Sequence, residues 1–232
     1  AGFNISNHWT KKNKKIMFSS RVNTSKLIYS RCKELNIKPK TFISASAMGY
    51  YGFNATGVKK ETDNTGEDWM ANLCLNWEKN ADKFKKIGCR VIKLRMSLIL
   101  EKHQGILQKI LLGYKFNIGI IFGDGQQIVP WIYSNDVARF ILFGLNHKNI
   151  SGTFNVATNE SISYYDIIKA IKTIKYTNAY LIFLPRWLIK IIFWEKEKLL
   201  FSNISLCVEK MKKTGFQWKY NNFEEFVQKE LK

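Results

Sequence analysis

Short apolar runs alternate with longer amphipathic stretches along most of this chain of 232 residues. The runs occupy residues 41–46, 90–95, 131–133, 153–156 and 181–184. Most of the stretches between them are long enough for a helix and have helical periodicity. Strands joined through helices run parallel, because each connection has to return to the same end of the sheet. The pattern therefore predicts an α/β fold with a parallel sheet covered by helices on both faces.

The run at residues 41–46 ends in small and hydroxyl-bearing residues instead of a polar turn. Thr41-Phe-Ile-Ser-Ala-Ser46 is followed by Ala-Met-Gly-Tyr-Tyr-Gly. Ligands bind at the carboxyl ends of the strands in parallel sheets. We therefore predict that Ser46 contacts a substrate or cofactor and that Tyr51 donates a proton from the loop. The alternative is that both residues only pack the strand end and form the turn.

The second run ends in Arg95 and Met96, at the equivalent position of the next predicted strand. Arg95 either holds a phosphate or carboxylate group of a ligand or merely caps the sheet. Hydroxyl-bearing residues are also predicted N-caps of four helices, at Thr10, Thr24, Ser134 and Ser163. The C-terminal region is expected to be helical around residues 185–195, 204–214 and 222–231.

The chain is strongly basic, with a formal net charge of +19. Such a charge raises the question of an anionic partner: nucleic acid, a membrane surface or a phosphorylated cofactor. Nearly all of the 37 basic residues are lysines, whereas nucleic-acid surfaces rely on arginine for bidentate contacts. We therefore do not expect a nucleic-acid partner.

Cysteine and histidine usage predicts neither a metal site nor a disulfide framework. The four cysteines are widely spaced and the three histidines stand alone, so no metal-ligand set is predicted. Free thiols of this kind are typical of the reducing cytoplasm. The most apolar stretch, residues 181–194, is interrupted by Arg186 and Lys190 and is too broken to span a bilayer. With no signal-peptide pattern, we predict a cytoplasmic protein without a membrane partner.

Several further landmarks occur in a fixed order along the chain. They are Ala1-Gly2, His8-Trp9-Thr10, Ser20-Arg21, the segment 44–52, Glu61, Cys74 with Trp77-Glu78, Leu94-Arg95, Gly123-Asp-Gly-Gln126, Trp131-Ile132 with Asp136, Asn155, Leu184-Pro185 and Gly215-Phe216. This series resembles a branch of the atypical short-chain dehydrogenases/reductases, the NAD-dependent epimerase/dehydratase-like proteins with a C-terminal domain of unassigned function. The resemblance covers essentially the whole chain. It implies part of a Rossmann-type NAD(P)-binding domain over residues 1–160 and a small, mostly helical lobe over residues 161–232.

The resemblance also implies NAD or NADP as cofactor and a small or nucleotide-linked molecule as substrate. In this family a strand, a glycine-rich loop and a helix hold the cofactor diphosphate, and these elements would precede Ala1. The residues of this chain that the resemblance assigns to the cofactor are Ala1, Gly2, Ser44, Ala45, Arg95 and Met96. The sheet would then lack its first strands, which leaves one edge of the strand at 41–46 unpaired. The chain could self-associate through that edge.

Short-chain dehydrogenases generally exchange a proton through a Tyr-x-x-x-Lys pair. Aligning Glu78 with the glutamate that usually follows this motif places Met70 and Cys74 at the tyrosine and lysine positions. Two Tyr-x-x-x-Lys strings do occur, but in other helices, so we regard them as coincidental. They are Tyr29 with Lys33 and Tyr165 with Lys169. Whether the chain is an enzyme therefore stays open, and the alternative is a non-catalytic module that binds a cofactor or a partner.

Overall fold

The structure is a computed structural model, and it describes residues 2–231. The strands are β1 (Thr41–Ala47), β2 (Thr56–Lys59), β3 (Arg90–Met96), β4 (Leu98–Leu100), β5 (Ile118–Phe122), β6 (Trp131–Tyr133), β7 (Gly152–Val156), β8 (Tyr180–Leu184) and β9 (Asn203–Leu206). The helices are α1 (Lys11–Phe18), α2 (Thr24–Glu34), α3 (Trp69–Asp82), α4 (Gly105–Tyr114), α5 (Ser134–Asn146), α6 (Tyr164–Lys175), α7 (Arg186–Phe193), α8 (Glu197–Leu200), α9 (Glu209–Lys212) and α10 (Phe223–Glu230).

All ladders between these strands are parallel, as the sequence predicts. A three-stranded sheet has the order β1-β3-β7, and the other strands form the pairs β2-β9, β4-β6 and β5-β8. The chain changes partners at Ser97, the single residue between β3 and β4. The Ser97 N–H donates to Val156 O at 3.0 Å, whereas the next N–H, that of Leu98, donates to Pro130 O at 3.1 Å. The sheet is therefore broken into short ladders instead of forming one continuous layer.

β1 lies at the edge of the three-stranded sheet. Its register with β3 aligns Ser46 with Arg95 and Ala47 with Met96. Within residues 2–231 no strand pairs with the other edge of β1, as the sequence-based interpretation predicts. The seven residues of this strand therefore present unpaired backbone groups, which are a template for pairing with another chain.

Side-chain caps fix the starts of several helices. Thr10 accepts a hydrogen bond from Asn13 N, Asp68 accepts from Met70 N and Ala71 N, and Ser163 accepts from Asp166 N. The predicted caps at Ser134 and Thr24 are wrong. Ser134 is the first residue of α5, and among the described residues no side chain caps this helix. A π-helical turn over Ser19–Asn23 joins α1 to α2 without a break, and the Thr24 hydroxyl donates back to Ser20 O at 2.9 Å.

The C-terminal region differs from expectation at one element. Residues 203–206 form β9, which pairs with β2, and not the start of a helix. Residues 161–231 contain five helices, α6 to α10, and two strands, β8 and β9, so this region is mostly helical. Both strands pair with strands that precede residue 160, and the domain boundary at residues 160 and 161 stays a prediction.

The largest core cluster joins the two regions. Trp131 is fully buried and contacts Phe223 and Phe226 of α10, with ring centroids 5.4 Å apart in both pairs. Burying an aromatic side chain of this size stabilises a fold by roughly 2–3 kcal/mol. Among residues 2–231, no helix combines the length and apolar character needed to cross a bilayer.

Candidate functional site

A buried polar network lies where β1 and β3 end, and we call it the Glu78–Arg95 network. It consists of Ser46, Tyr51, Glu78, Arg95 and Asn155, all of which are buried. The members come from β1, the turn after it, α3, β3 and β7. Parallel strands bring their carboxyl ends to one side of the sheet, so these separate segments converge there.

The centre of the network is a bidentate ion pair. Arg95 Nε donates to Glu78 Oε1 at 2.8 Å, and Arg95 Nη2 donates to Glu78 Oε2 at 3.0 Å. Ser46 Oγ donates to the same Oε1 atom at 2.7 Å. Lys93 approaches from the side, with its Nζ 3.6 Å from Glu78 Oε2 and 2.7 Å from Asp82 Oδ2. The carboxylate therefore has two cations and a hydroxyl around it, which offsets the cost of burying it.

The Tyr51 hydroxyl lies at the other side of the guanidinium. It accepts from Arg95 Nη1 at 3.1 Å and lies 2.7 Å from Asn155 Oδ1 and 3.0 Å from Lys60 O, the two acceptors for its hydrogen. The face of the guanidinium covers the neighbouring Tyr50, with 3.4 Å between Arg95 Cζ and the ring centroid. Tyr51 is thus held by three partners within the protein.

Asn155 ties β7 to the segment before α3. Its side-chain nitrogen donates to Lys59 O at 2.9 Å and to Cys207 O at 3.2 Å, and its backbone N–H donates to Glu61 Oε1 at 2.9 Å. The amide oxygen is thereby oriented towards Tyr51. These contacts hold the Asn155 amide oxygen in place as an acceptor for the Tyr51 hydroxyl.

Two glycines allow the turn after β1 to lie directly on the segment before α3. Gly66 N donates to Tyr50 O at 2.9 Å. A Cβ atom at Gly66 would lie 2.6 Å from Tyr51 O and 2.7 Å from Gly52 Cα, closer than atoms can approach. Gly52 itself has φ of 85°, a left-handed conformation that glycine adopts without strain. Only glycine at both positions gives this backbone contact.

The residues aligned with the usual proton-transfer pair are apolar or inert in this structure. Met70 and Cys74 occupy the buried face of α3 and border Gly49, where an added Cβ would lie 2.8 Å from Met70 Cγ and 3.7 Å from Cys74 Sγ. Burial, helped by the charge of Glu78, raises the pKa of the Cys74 thiol to about 12. A thiol with such a pKa is protonated at neutral pH and is a poor nucleophile.

Burial also sets the protonation of the network. It raises the pKa of Tyr51 above its ordinary value of 10.0, although the hydrogen bond and charge of Arg95 oppose this. Burial acts to lower the pKa of Arg95, but the hydrogen bonds and charge of Glu78 outweigh it and raise that pKa. Tyr51 is therefore a neutral phenol at neutral pH, and Arg95 carries its positive charge.

The structure brings only some of the predicted site residues together. Ser46, Tyr51 and Arg95 belong to the Glu78–Arg95 network, and Ser44, Ala45 and Met96 lie beside it on β1 and β3. Ser44 is buried, and its hydroxyl donates to Ala45 O at 3.0 Å. Gly2 is exposed and borders the Arg21 guanidinium on the helical N-terminal segment. Ala1 lies outside the described residues.

One buried hydroxyl at this end of the sheet lacks a partner. Ser97 directly follows β3, and its Oγ atom has no hydrogen-bonding partner among the described residues. A buried hydroxyl without a partner costs roughly 1–3 kcal/mol, which a ligand group bound there would offset. By contrast, the Arg95 guanidinium already uses four of its five N–H groups on protein atoms. Ser97 therefore fits a contact to a bound cofactor or substrate better than Arg95 does.

Sequence reasoning used Glu61, Glu78 and Asn155 only as landmarks and assigned them no site role. Glu78 could have been found, because it follows Met70 and Cys74 at four-residue spacing on the buried face of α3. A carboxylate on an apolar helix face requires a cationic partner. The contact between Asn155 and Tyr51 spans 104 residues and leaves no local signal.

Comparison with known proteins identifies the family of this chain. A family model described as the NAD dependent epimerase/dehydratase family matches residues 85–157. An epimerase family protein of Staphylococcus aureus (strain N315) is 30% identical over 229 residues, which cover 97% of this chain and 75% of that protein. A homologous epimerase family protein of Staphylococcus epidermidis is 29% identical over 227 residues, covering 96% and 74%.

Solved structures agree on the fold. The human epimerase family protein SDR39U1 (isoform 2), solved with NADPH, has a TM-score of 0.88 at 21% identity, covering 99% of this chain and 79% of that chain. UDP-glucuronic acid 4-epimerase from Bacillus cereus, solved with NAD, has a TM-score of 0.77 at 18% identity, covering 97% and 70%. Their fold confirms the predicted Rossmann-type α/β class. This chain belongs to the epimerase family.

Proposed function

We propose that this protein binds NAD or NADP at the carboxyl ends of β1 and β3 and acts on a small or nucleotide-linked substrate. The observation that carries the proposal is the unpartnered Ser97 hydroxyl beside Met96, at the end of the sheet where Rossmann-type folds bind ligands. The NADPH and NAD in the two related structures support the cofactor class. When bound, a nicotinamide accepts and donates hydride.

Within this proposal, three hydroxyl groups have distinct roles. Ser97 contacts the cofactor or substrate directly, whereas Ser46 holds the Glu78 carboxylate and so positions Arg95. Tyr51 supplies the proton, because its phenol stays neutral at neutral pH and the cationic Arg95 donates to its oxygen. Ser44, Ala45 and Met96 form the neighbouring backbone against which the ligand lies.

The cofactor part is tested by isothermal titration of NADPH and NADH into the protein, together with whatever residues its gene encodes upstream of Ala1. Ser97→Ala should weaken binding about three- to tenfold, the value of one lost hydrogen bond. Ser161→Ala removes a hydroxyl that is exposed and paired with Ser205, and serves as the matched control. If neither NADPH nor NADH binds to the parent protein, the cofactor proposal is refuted.

A second candidate is a non-catalytic module that binds the cofactor or a partner without turnover. Met70 and Cys74 at the aligned proton-transfer positions favour it, because a thioether cannot exchange a proton and burial raises the pKa of the Cys74 thiol to about 12. The two candidates are separated by following cofactor absorbance with a panel of nucleotide sugars. Turnover that Tyr51→Phe abolishes and Tyr50→Phe preserves identifies an enzyme, and binding without any turnover identifies the module.

A further inference from the structure

α7 presents an apolar surface to solvent. Trp187 is 65% exposed and Ile191 is 72% exposed, and these two residues lie one helical turn apart. Ile189 between them is fully buried on the opposite side. Leu188 and Phe193 are half-buried, and Phe193 packs against Phe122, so one side of the helix is anchored and the other is exposed. We call the exposed apolar set the α7 face. It comprises Trp187, Ile191 and Ile192 of α7 and the following Trp194.

Trp194 ends this face in an unusual backbone conformation. Its φ of 50° and ψ of −129° correspond to the first central residue of a type II′ turn, a position that glycine favours. A non-glycine residue there costs roughly 1–3 kcal/mol. The indole is nevertheless 81% exposed, so packing of the ring within this chain does not offset the strain. A partner that covers the ring would offset it.

The surroundings of the α7 face are cationic. Arg186, Lys190 and Lys198 are exposed around it. The two nearby carboxylates are neutralised within the chain: Glu195 is 2.7 Å from Lys14 Nζ, and the buried Glu197 is 3.5 Å from Arg186 Nη2. Since the charge of Arg186 is offset by Glu197, the face combines tryptophan and isoleucine with the unopposed charges of Lys190 and Lys198, in a chain of net charge +19.

We propose that the α7 face docks on the surface of a bilayer that contains anionic phospholipids. Tryptophans with flanking lysines are the composition of helices that lie in the membrane interface. A helix of eight residues is about 12 Å long, too short for the roughly 800 Å² per partner of a standard protein interface. Binding to a bilayer, in contrast, gains free energy from each apolar side chain that inserts.

This inference departs from the sequence-based expectation of no membrane partner. That expectation rests on the interruption of residues 181–194 by Arg186 and Lys190, which prevents the segment from spanning a bilayer. Lying on the surface does not require a span, and the unopposed charge of Lys190 favours it. The inference concerns a surface outside the Glu78–Arg95 network and does not depend on cofactor binding.

The test is co-sedimentation of the protein with phosphatidylcholine vesicles prepared with and without phosphatidylglycerol. We expect binding to the anionic vesicles only, weakened by added salt. The double substitution Trp187→Ser with Ile191→Ser should reduce partitioning at least about tenfold, and Lys190→Gln should reduce it about fivefold. Leu142→Ser, on the 60% exposed Leu142 of α5, is the matched control and should bind like the parent.

Three results would overturn the proposal. The first is no binding of the parent protein to anionic vesicles at low salt. The second is equal binding of the double variant and the parent. The third is a dimer in lipid-free solution that the double variant dissociates, without vesicle binding, which would assign the α7 face to a second copy of this chain. Thermal melting of each variant confirms that the exposed substitutions leave the fold intact.

Discussion

Arg95 and Glu78 form a buried bidentate ion pair, in which both carboxylate oxygens accept from the same guanidinium. The two side chains are 4% and 5% exposed. Because neither group can be hydrated if its partner is lost, this pair ties α3 to the carboxyl end of β3.

Glu78→Gln should lower the free energy of unfolding by about 3–5 kcal/mol, because it leaves the buried Arg95 charge unpaired. Urea denaturation measures this difference. Glu209→Gln is the matched control: its partner is Lys212 at 3.5 Å and both side chains are about half exposed, so the loss should be under about 1 kcal/mol. Equal effects of the two substitutions would mean that the buried pair is as hydrated as the exposed one.

The Cys74 thiol should make stability fall at alkaline pH. Its pKa is raised by burial from 9.0 to about 12, so above pH 9 the unfolded chain releases a proton that the folded protein keeps. The stabilisation of the folded protein that this raised pKa provides is complete below pH 9 and is lost as the pH rises towards 12. Cys74→Ala removes it, so the stability advantage of the parent over this variant should shrink between pH 8 and pH 10.5. A difference independent of pH, measured by urea denaturation, would contradict the assignment.

Trp194→Gly should raise the free energy of unfolding by about 1 kcal/mol, because glycine relieves the strained turn. Trp187→Gly should have the opposite sign, since it places glycine inside α7 at a cost of about 0.5–1 kcal/mol. Both indoles are largely exposed, so lost packing cannot account for a difference in sign. Thermal denaturation of the two variants side by side distinguishes them, and destabilisation by both would rule out strain at residue 194.

The unpaired edge of β1 should promote self-association. Multi-angle light scattering of residues 1–232 should show a mass that grows with protein concentration, because backbone groups on that edge can pair with a second strand. This association should occur in the native protein, without lowering the pH or adding urea. A monodisperse monomer that melts cooperatively over the whole concentration range would show that the edge is protected.

Local sequence signals predicted the fold class well. The alternation of apolar runs and amphipathic stretches indicated parallel strands, and the caps at Thr10 and Ser163 follow from hydroxyl groups close to the amides that they bind. Thr24 also carries a hydroxyl group, but it lies inside a continuous helix. Its hydroxyl bonds back to Ser20 O, and this outcome depends on how the preceding turn packs.

Tertiary pairing explains the other differences. Residues 203–206 form a strand because β2 offers them a parallel ladder, although the local pattern suits a helix. Glu78 was detectable in principle from its place on the apolar face of α3. The contact of Tyr51 with Asn155 was not, because nothing near either residue encodes a partner 104 positions away.

The close backbone contact between Gly52 and Gly66 has a mechanical consequence. With no side chain between them, the turn that bears Tyr51 and the segment that bears Gly66 touch backbone to backbone, and the Lys60 carbonyl also accepts from the Tyr51 hydroxyl. The two segments are therefore joined at both ends of the tyrosine. A ligand that displaced the Tyr51 side chain would also disturb the segment that leads into α3.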